Sequence, residues 1–169
     1  GDGENAALGY EQAARLDAAY AQASLMALHY RSDISFKEIV ARHLEWGAQF
    51  HDVPSPPWRH VEGQSLRVGF VSADFRYHAT GVFLPPLLSQ RARCGWQAIL
   101  YSNTRNEDAT TQRFQGLCDG WRDIRTVADE DVADLVRADK IDILFDLNCH
   151  TQGNRLGLFA LRPAPAQVS

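Results

Sequence analysis

Apolar positions divide the chain into a helical first part and a second part in which strands and helices alternate. Residues 7–29 are rich in alanine and leucine, a composition that predicts a helix belonging to a helical hairpin. Residues 35–50 carry apolar side chains at helical spacing, and Ser35 with Glu38 has the S-x-x-E spacing of a capping box. The two segments predict a small all-helical region over residues 1–52.

A proline-rich stretch separates the two parts. Pro54, Pro56 and Pro57 fall within four residues, and proline neither continues a helix nor lets the backbone move freely. The stretch therefore predicts a linker over residues 53–65 and a domain boundary at that point.

From residue 66 to residue 169, short apolar runs alternate with helical patterns. The pattern predicts strands over 66–72, 96–101, 121–125 and 141–147, and the start of a fifth strand over 166–169. It predicts helices over 84–93, 108–118 and 129–140. The apolar run at 143–145 does not alternate with polar residues, which is typical of a parallel strand covered on both faces. We therefore expect an α/β fold: a Rossmann-like, doubly wound parallel sheet of order 3-2-1-4-5, preceded by a small all-helical segment.

The charge balance and the apolar runs exclude some classes of partner. The 169 residues include 17 Lys and Arg against 21 Asp and Glu, a net charge of −4, whereas a non-specific nucleic-acid binder shows a basic stripe. No apolar run approaches the roughly 20 residues that a membrane span requires. The acidic residues 1–5 are not followed by the apolar segment of a signal peptide. We expect neither nucleic acid nor a membrane as a partner.

The cysteines indicate the compartment. Cys94, Cys118 and Cys149 lie far apart, and no CxxC or Cys/His spacing indicates structural zinc. Dispersed cysteines in odd number are typical of a reducing environment, so we expect a cytoplasmic protein.

Two loops carry residues suited to proton transfer. In an open α/β sheet, ligands bind beyond the carboxyl ends of the strands at the switch point, here between the first and fourth strands. The loop after the first strand holds Asp74 and His78, and the loop after the fourth holds Asp146 and His150. Histidine is well matched to proton transfer near neutral pH, and a nearby aspartate can orient it. The spacing therefore allows a cleft shared by two histidines.

The same residues allow other interpretations. Either histidine could be an ordinary surface-loop residue, and Asp146 could cap a turn. The two histidines and two aspartates are suitable metal ligands, but they lack a tight spacing such as HxH. Neither G-x-G-x-x-G nor G-x-x-x-x-G-K-[ST] occurs, so the spacing predicts no dinucleotide or P-loop site.

Two stretches carry a resemblance to a known family. The first is LRVGFVSADFRYH at residues 66–78, followed by ATG. The second is DILFDLNCHTQGNR at residues 142–155, which runs on to the specific FALRPAP at residues 159–165. Together they resemble the O-linked N-acetylglucosamine transferase family, inverting GT-B glycosyltransferases usually preceded by tetratricopeptide repeats (TPR). The helical lead-in resembles the transition between the repeats and the catalytic region in bacterial members. The resemblance runs from about residue 24 to the end.

The resemblance implies a function and a set of site residues. Residues 66–169 would be the incomplete amino-terminal lobe of the catalytic region. The donor would be UDP-N-acetylglucosamine (UDP-GlcNAc), the acceptor a Ser or Thr hydroxyl on a protein, and no metal or other cofactor would be needed. His78 matches the family's first-loop histidine, a base or substrate-positioning residue, and His150 is the second catalytic candidate. Asp146 and Thr151 match positions that line the same cleft, and with Asp74 they form the predicted substrate-binding set.

Two departures from the family pattern bear on the loops. Cys149 stands where the motif usually has glycine, and a Cβ there opposes a positive φ. Pro85 and Pro86 follow the first loop closely, so we expect the next helix to begin near Leu84, with both prolines in its first turn.

The length of the chain limits what it can do alone. The family continues beyond the equivalent of Ser169 into the carboxyl-terminal GT-B lobe, which supplies most of the nucleotide pocket. We therefore expect the isolated chain to be inactive and to need that missing lobe as a partner. An alternative from another class is a non-catalytic α/β interaction module that docks a protein partner. A flavodoxin-like domain for a small ligand is a third interpretation.

Overall fold

The chain forms two compact units. The computed structural model describes residues 2–16, 20–50, 53–57 and 62–169. A helical unit comprises residues 1–52 together with 150–152. An α/β unit comprises residues 53–149 together with 153–169.

The helical unit contains three helices: α1 (Asp2–Leu16), α2 (Ala21–Leu28) and α3 (Phe36–Gly47). The single helix predicted over residues 7–29 is thus two helices, and residues 17–19 between them lie outside the described residues. The predicted start of α3 is confirmed, because the Ser35 side chain accepts a hydrogen bond from the Glu38 N–H at 3.2 Å. Leu25, Leu28 and Ile39 form the buried core of this unit.

The α/β unit is built on one five-stranded sheet. Its strands are β1 (Leu66–Ser72), β2 (Trp96–Ser102), β3 (Gly120–Asp123), β4 (Ile143–Asp146) and β5 (Ala166–Val168). All pairings are parallel, and the order β3-β2-β1-β4-β5 confirms the prediction. Val71 of β1 lies opposite Asp146 of β4, so the loops that follow these two strands leave the sheet side by side.

Helices cover both faces of the sheet, as the non-alternating fourth strand predicted. The helices are α4 (Ala79–Cys94), α5 (Ala109–Leu117), α6 (Asp129–Ala138) and α7 (Leu156–Ala160). One buried cluster joins the sheet to α4 and α5 through residues such as Phe70, Leu88 and Phe114. The other joins it to α6 and α7 through residues such as Leu144, Val132 and Leu158. Among the described residues, no helix is both long and apolar enough to cross a membrane.

The start of α4 differs from the prediction. The helix begins at Ala79, and Pro85 and Pro86 lie inside it. His78 starts the helix by capping it, and this local signal outweighs the preference of proline for a first turn. Because proline has no N–H, the carbonyls four residues earlier, at Gly81 and Val82, lack a helical donor. Burial of Pro85 with its neighbours Leu84 and Leu88 offsets this loss.

Candidate active site at the carboxyl ends of β1 and β4

A buried asparagine joins the loops after β1 and β4. Asn148 is 5% exposed, and its Oδ1 accepts a hydrogen bond from the Ala73 N–H at 2.8 Å. Its Nδ2 donates to Asp74 Oδ2 at 2.8 Å. One side chain thus fixes the relative position of both loops. Sequence reasoning missed Asn148, because its two partners lie about 75 residues earlier in the chain and only the fold brings them together.

Asp146 caps the turn that follows β4. Its Oδ1 accepts from the Asn148 N–H at 2.9 Å, and its Oδ2 accepts from the Cys149 N–H at 2.9 Å and the Ser169 hydroxyl at 2.7 Å. The carboxylate is buried, so these donors replace water around its charge. The sequence had allowed this structural role as an alternative to substrate binding.

Asp74 lies between a guanidinium and an imidazole. Its Oδ1 accepts from Arg76 Nη2 at 3.0 Å, and its Oδ2 lies 3.9 Å from His78 Nδ1. The Asp74 N–H donates to the Ser72 hydroxyl at 3.0 Å. The side chain is buried, and the Arg76 guanidinium offsets the charge of its carboxylate.

His78 is the N-cap of α4. Its Nδ1 accepts from the Thr80 N–H at 3.5 Å and lies 3.3 Å from the Thr80 hydroxyl. The side chain is 45% exposed. When Nδ1 accepts the backbone N–H, the neutral ring carries its proton on Nε2, which is then a donor. For Nε2 to accept a proton instead, Nδ1 must carry a hydrogen directed at the Thr80 hydroxyl or at Asp74.

A second aspartate braces the loop that carries His78. Asp108 Oδ2 accepts from the Tyr77 N–H at 2.7 Å, while its Oδ1 caps α5 through the N–H groups of Thr110 and Thr111. The hydrogen bond from Tyr77, followed by those from α5, lowers the pKa of the Asp108 carboxyl below its usual value. Sequence reasoning placed Asp108 only at the start of a predicted helix and missed its contact with the first loop.

Gly81 permits a close approach within this loop. A Cβ atom there would lie 2.7 Å from the Arg76 carbonyl oxygen and 3.0 Å from Thr110 Cγ2. The first distance is shorter than real Cβ contacts, so a larger residue would push the first turn of α4 away from the loop. The glycine of the ATG motif is therefore required by packing.

The second predicted histidine belongs to the helical unit. The ring of His150 lies edge-on to His43 and Trp46, with centroid distances of 5.1 and 5.2 Å. Thr151, its neighbour, is exposed. Because His78 belongs to the α/β unit, a cleft shared by the two histidines stays a prediction.

Cys149 occupies a backbone conformation that favours glycine. Its φ is 46°, in the left-handed region. The family motif usually has glycine at this position, and in this chain Cys149 adopts a positive φ although it carries a Cβ. Its Sγ lies 3.7 Å from the Ser169 hydroxyl.

The described residues also bear on the metal interpretation. Within residues 2–16, 20–50, 53–57 and 62–169, no group of three or more His, Cys, Asp or Glu side chains could hold a metal ion. The metal site allowed by the sequence is therefore not assembled in this part of the chain.

Comparisons with known proteins agree on one family. The model of glycosyl transferase family 41 matches residues 27–169. The probable UDP-N-acetylglucosamine--peptide N-acetylglucosaminyltransferase SPINDLY of Oryza sativa subsp. japonica is 35% identical over 159 residues, which cover 88% of this chain and 17% of that protein. The corresponding SEC protein of Arabidopsis thaliana is 31% identical over 124 residues, covering 68% of this chain and 13% of that protein.

A solved structure shows the same fold. A mutant of the O-GlcNAc transferase of Thermobaculum terrenum is 34% identical, with a TM-score of 0.90 over 99% of this chain and 34% of that chain. The chain spans less than a fifth of the length of the SPINDLY and SEC proteins.

Proposed function

The chain belongs to glycosyl transferase family 41, and we propose that it forms part of an inverting glycosyltransferase. The whole protein would move N-acetylglucosamine from UDP-GlcNAc to Ser or Thr hydroxyls of proteins. The observation that carries this proposal is the family match over residues 27–169. The names of the relatives state the same transfer to a peptide.

The chemistry defines what the site must do. The acceptor oxygen attacks the anomeric carbon, the bond from that carbon to the UDP oxygen breaks, and the configuration inverts. The hydroxyl proton must leave, and the diphosphate departs with the electron pair, so the site needs a proton acceptor and donors for the phosphates. We propose that no metal takes part, so that EDTA leaves the rate unchanged.

His78 is the residue that we place nearest to this chemistry. Its Nδ1 faces the Thr80 N–H at 3.5 Å, and its exposed Nε2 would then donate a hydrogen bond to a substrate oxygen. We therefore favour a positioning role for His78 over a role as general base. His150 is retained as a second candidate from the family motif.

The aspartates would act through other residues. The Asp146 carboxylate accepts three hydrogen bonds that shape the loop after β4, and Asp74 lies beside Arg76 and His78. We propose that both are positioning residues within the substrate-binding set. Thr151 is exposed and would contact the substrate directly.

The His78 variants test this assignment in the complete gene product that contains these residues. His78→Ala should lower the rate of transfer at least 100-fold, in the range usual for loss of a substrate-positioning or acid–base group. His78→Asn should retain more activity than His78→Ala, because an amide N–H can replace the imidazole donor, whereas neither variant can serve as a base. Arg125→Ala, at an exposed position, is the control. Equal loss in both His78 variants would contradict the positioning role.

The whole protein's setting is also proposed. We propose helical TPR repeats before this chain and a cytoplasmic location from the family resemblance alone. A bacterial source is proposed from that resemblance and from the likeness to the Thermobaculum terrenum enzyme. The isolated chain should bind UDP weakly and transfer nothing, because the carboxyl-terminal lobe is needed for the nucleotide.

A non-catalytic docking module is the second candidate function. Three neighbouring apolar residues of α4, Val82, Phe83 and Leu87, are 64%, 78% and 51% exposed. Such a patch is typical of a protein-binding surface. A complete gene product that folds and docks a partner but consumes no UDP-GlcNAc would favour this candidate over transfer.

A further inference from the structure

A cavity lies at the edge of the sheet where the strands begin. Its volume is about 950 Å³, and its lining includes Arg67 of β1 and Gln97 of β2. Asp142 and Pro165, which directly precede β4 and β5, also line it. With a rise of about 3.3 Å per residue, the length of β1 separates this edge from the Asp74 loop by about 20 Å. The cavity is therefore distinct from the candidate active site.

The walls of the cavity are stiff and partly apolar. Four prolines line it, two from the linker and two from the segment before β5: Pro56, Pro57, Pro163 and Pro165. Proline rings fix the backbone and offer no N–H group. Gln64, Ser65 and Gln97 add neutral hydrogen-bonding groups. Such a wall suits a compact apolar body, and its rigidity lowers the entropy lost on binding.

The lining carries more cationic than acidic side chains. Arg67, Arg137 and Lys140 face one carboxylate, that of Asp142. Arg67 Nη1 donates to the Asp139 carbonyl at 2.8 Å, and Arg137 donates to the Leu161 carbonyl at 3.1 Å and to Asp134 at 2.8 Å.

These contacts hold the guanidinium groups in place, and the ion pair with Asp134 offsets the charge of Arg137. Asp142 is already engaged, because its Oδ2 accepts the Arg67 backbone N–H at 2.8 Å. Within the part of the chain that the structure describes, neither Arg67 nor Lys140 forms an ion pair.

Lys140 stands at a position that usually favours glycine. It follows the end of α6 with a φ of 52°, and its N–H closes the helix on the Arg137 carbonyl at 3.0 Å. A side chain in this conformation carries strain that glycine would not. Residual strain of this kind is often found where a side chain has a function.

We propose that this cavity binds a small phosphate monoester with a compact apolar body. Arginine and lysine together suit a phosphate dianion, and the proline walls suit the body that carries it. The volume of about 950 Å³ falls within the range typical of small-molecule sites. This site does not depend on the proposed glycosyl transfer.

The two lysines of the chain allow a direct test, since Lys37 and Lys140 are the only ones in the sequence. Reductive methylation with ¹³C-formaldehyde keeps both charges and gives each lysine its own NMR signal. Phenyl phosphate should shift the Lys140 signal to saturation at millimolar concentration, and the Lys37 signal should stay in place. Inorganic phosphate should bind at least about fivefold more weakly, and phenol should cause no saturable shift.

A matched pair of variants separates binding from folding. Glycine accepts the positive φ, so Lys140→Gly should fold with an unchanged or higher melting temperature. The same variant should bind phenyl phosphate about tenfold more weakly. Lys37→Gln should leave the affinity unchanged. Amide signals of Arg67 and Gln97 report binding in both variants.

Three results would overturn the proposal. One is a Lys140 signal that moves no more than that of Lys37, which indicates a general salt effect. Another is a folded Lys140→Gly variant with full affinity. The third is equal affinity for inorganic phosphate and phenyl phosphate, which would show that the proline walls contribute nothing to binding.

Discussion

Replacing Asn148 should destabilise the α/β unit through both loops at once. In Asn148→Ala, the Ala73 N–H loses its acceptor and the Asp74 carboxylate loses a donor, each at 2.8 Å in the native structure. A neutral hydrogen bond contributes about 1 kcal/mol and one to a charged group about 1.5–3 kcal/mol. The expected loss of unfolding free energy is therefore about 3 kcal/mol.

Asn148→Asp gives the same site a pH signature. It keeps the acceptor for Ala73 but places an oxygen where the amide nitrogen stood, 2.8 Å from Asp74 Oδ2. Two carboxylates this close raise the pKa of one of them in the folded state above the unfolded value of about 3.9. The folded state then binds a proton first, so stability should be low at pH 7 and rise as the pH falls through the raised pKa.

Urea unfolding followed by circular dichroism at pH 7 and pH 5 measures both effects. Asn106→Ala, at an exposed position, is the control and should change stability by less than about 0.5 kcal/mol. A loss of less than about 1 kcal/mol in Asn148→Ala, or an Asn148→Asp variant as stable as the native chain at pH 7, would refute the role of Asn148.

Three further predictions concern single groups. Cys149→Gly should raise the unfolding free energy by up to about 1 kcal/mol in urea, because glycine accepts the φ of 46° without strain; a loss of stability would contradict this. Tyr101 donates to Asp139 at 2.8 Å, and burial, with this bond, raises the pKa of its phenol well above 10.0. The unfolding free energy should therefore fall as the pH rises past about 10, the pKa of tyrosine in the unfolded chain. Tyr101→Phe should make the unfolding free energy less dependent on pH in this range, and an unchanged dependence would refute the role of Tyr101. The pKa of the Asp108 carboxyl is lower in the folded than in the unfolded state, so the ionised carboxylate stabilises the fold above its unfolded pKa. This stabilisation is lost as the pH falls through the folded pKa, so the unfolding free energy of Asp108→Asn should depend less on pH in the acid range. An identical acid profile for variant and native chain would contradict this.

The sheet could be predicted because its signals are local. The apolar runs predicted β1 with its observed bounds, and the right-handed crossover rule gave the strand order. The cap at Ser35 was predictable as well, since a cap and its helix are adjacent in sequence. The short α7 gave no such signal, because five residues are too few to show a helical period.

The site could be predicted only in outline. Sequence placed Asp74, His78 and Asp146 in the loops at the switch point, and the structure connects Asp74 and Asp146 through Asn148. The role of Asn148 depends on contacts between segments far apart in the chain, which the spacing of residues does not reveal. The predicted start of α4 near Leu84 was wrong, because the cap at His78 outweighs the preference of Pro85 for the first turn of a helix.

The most direct measurement follows the sugar itself. The complete gene product containing these residues is incubated with UDP-GlcNAc and a protein acceptor, and the acceptor is then mapped by mass spectrometry. We expect one N-acetylhexosamine on Ser or Thr side chains, with a linkage inverted relative to the donor. A folded protein that leaves UDP-GlcNAc intact, or transfers the sugar with retained configuration, would contradict it.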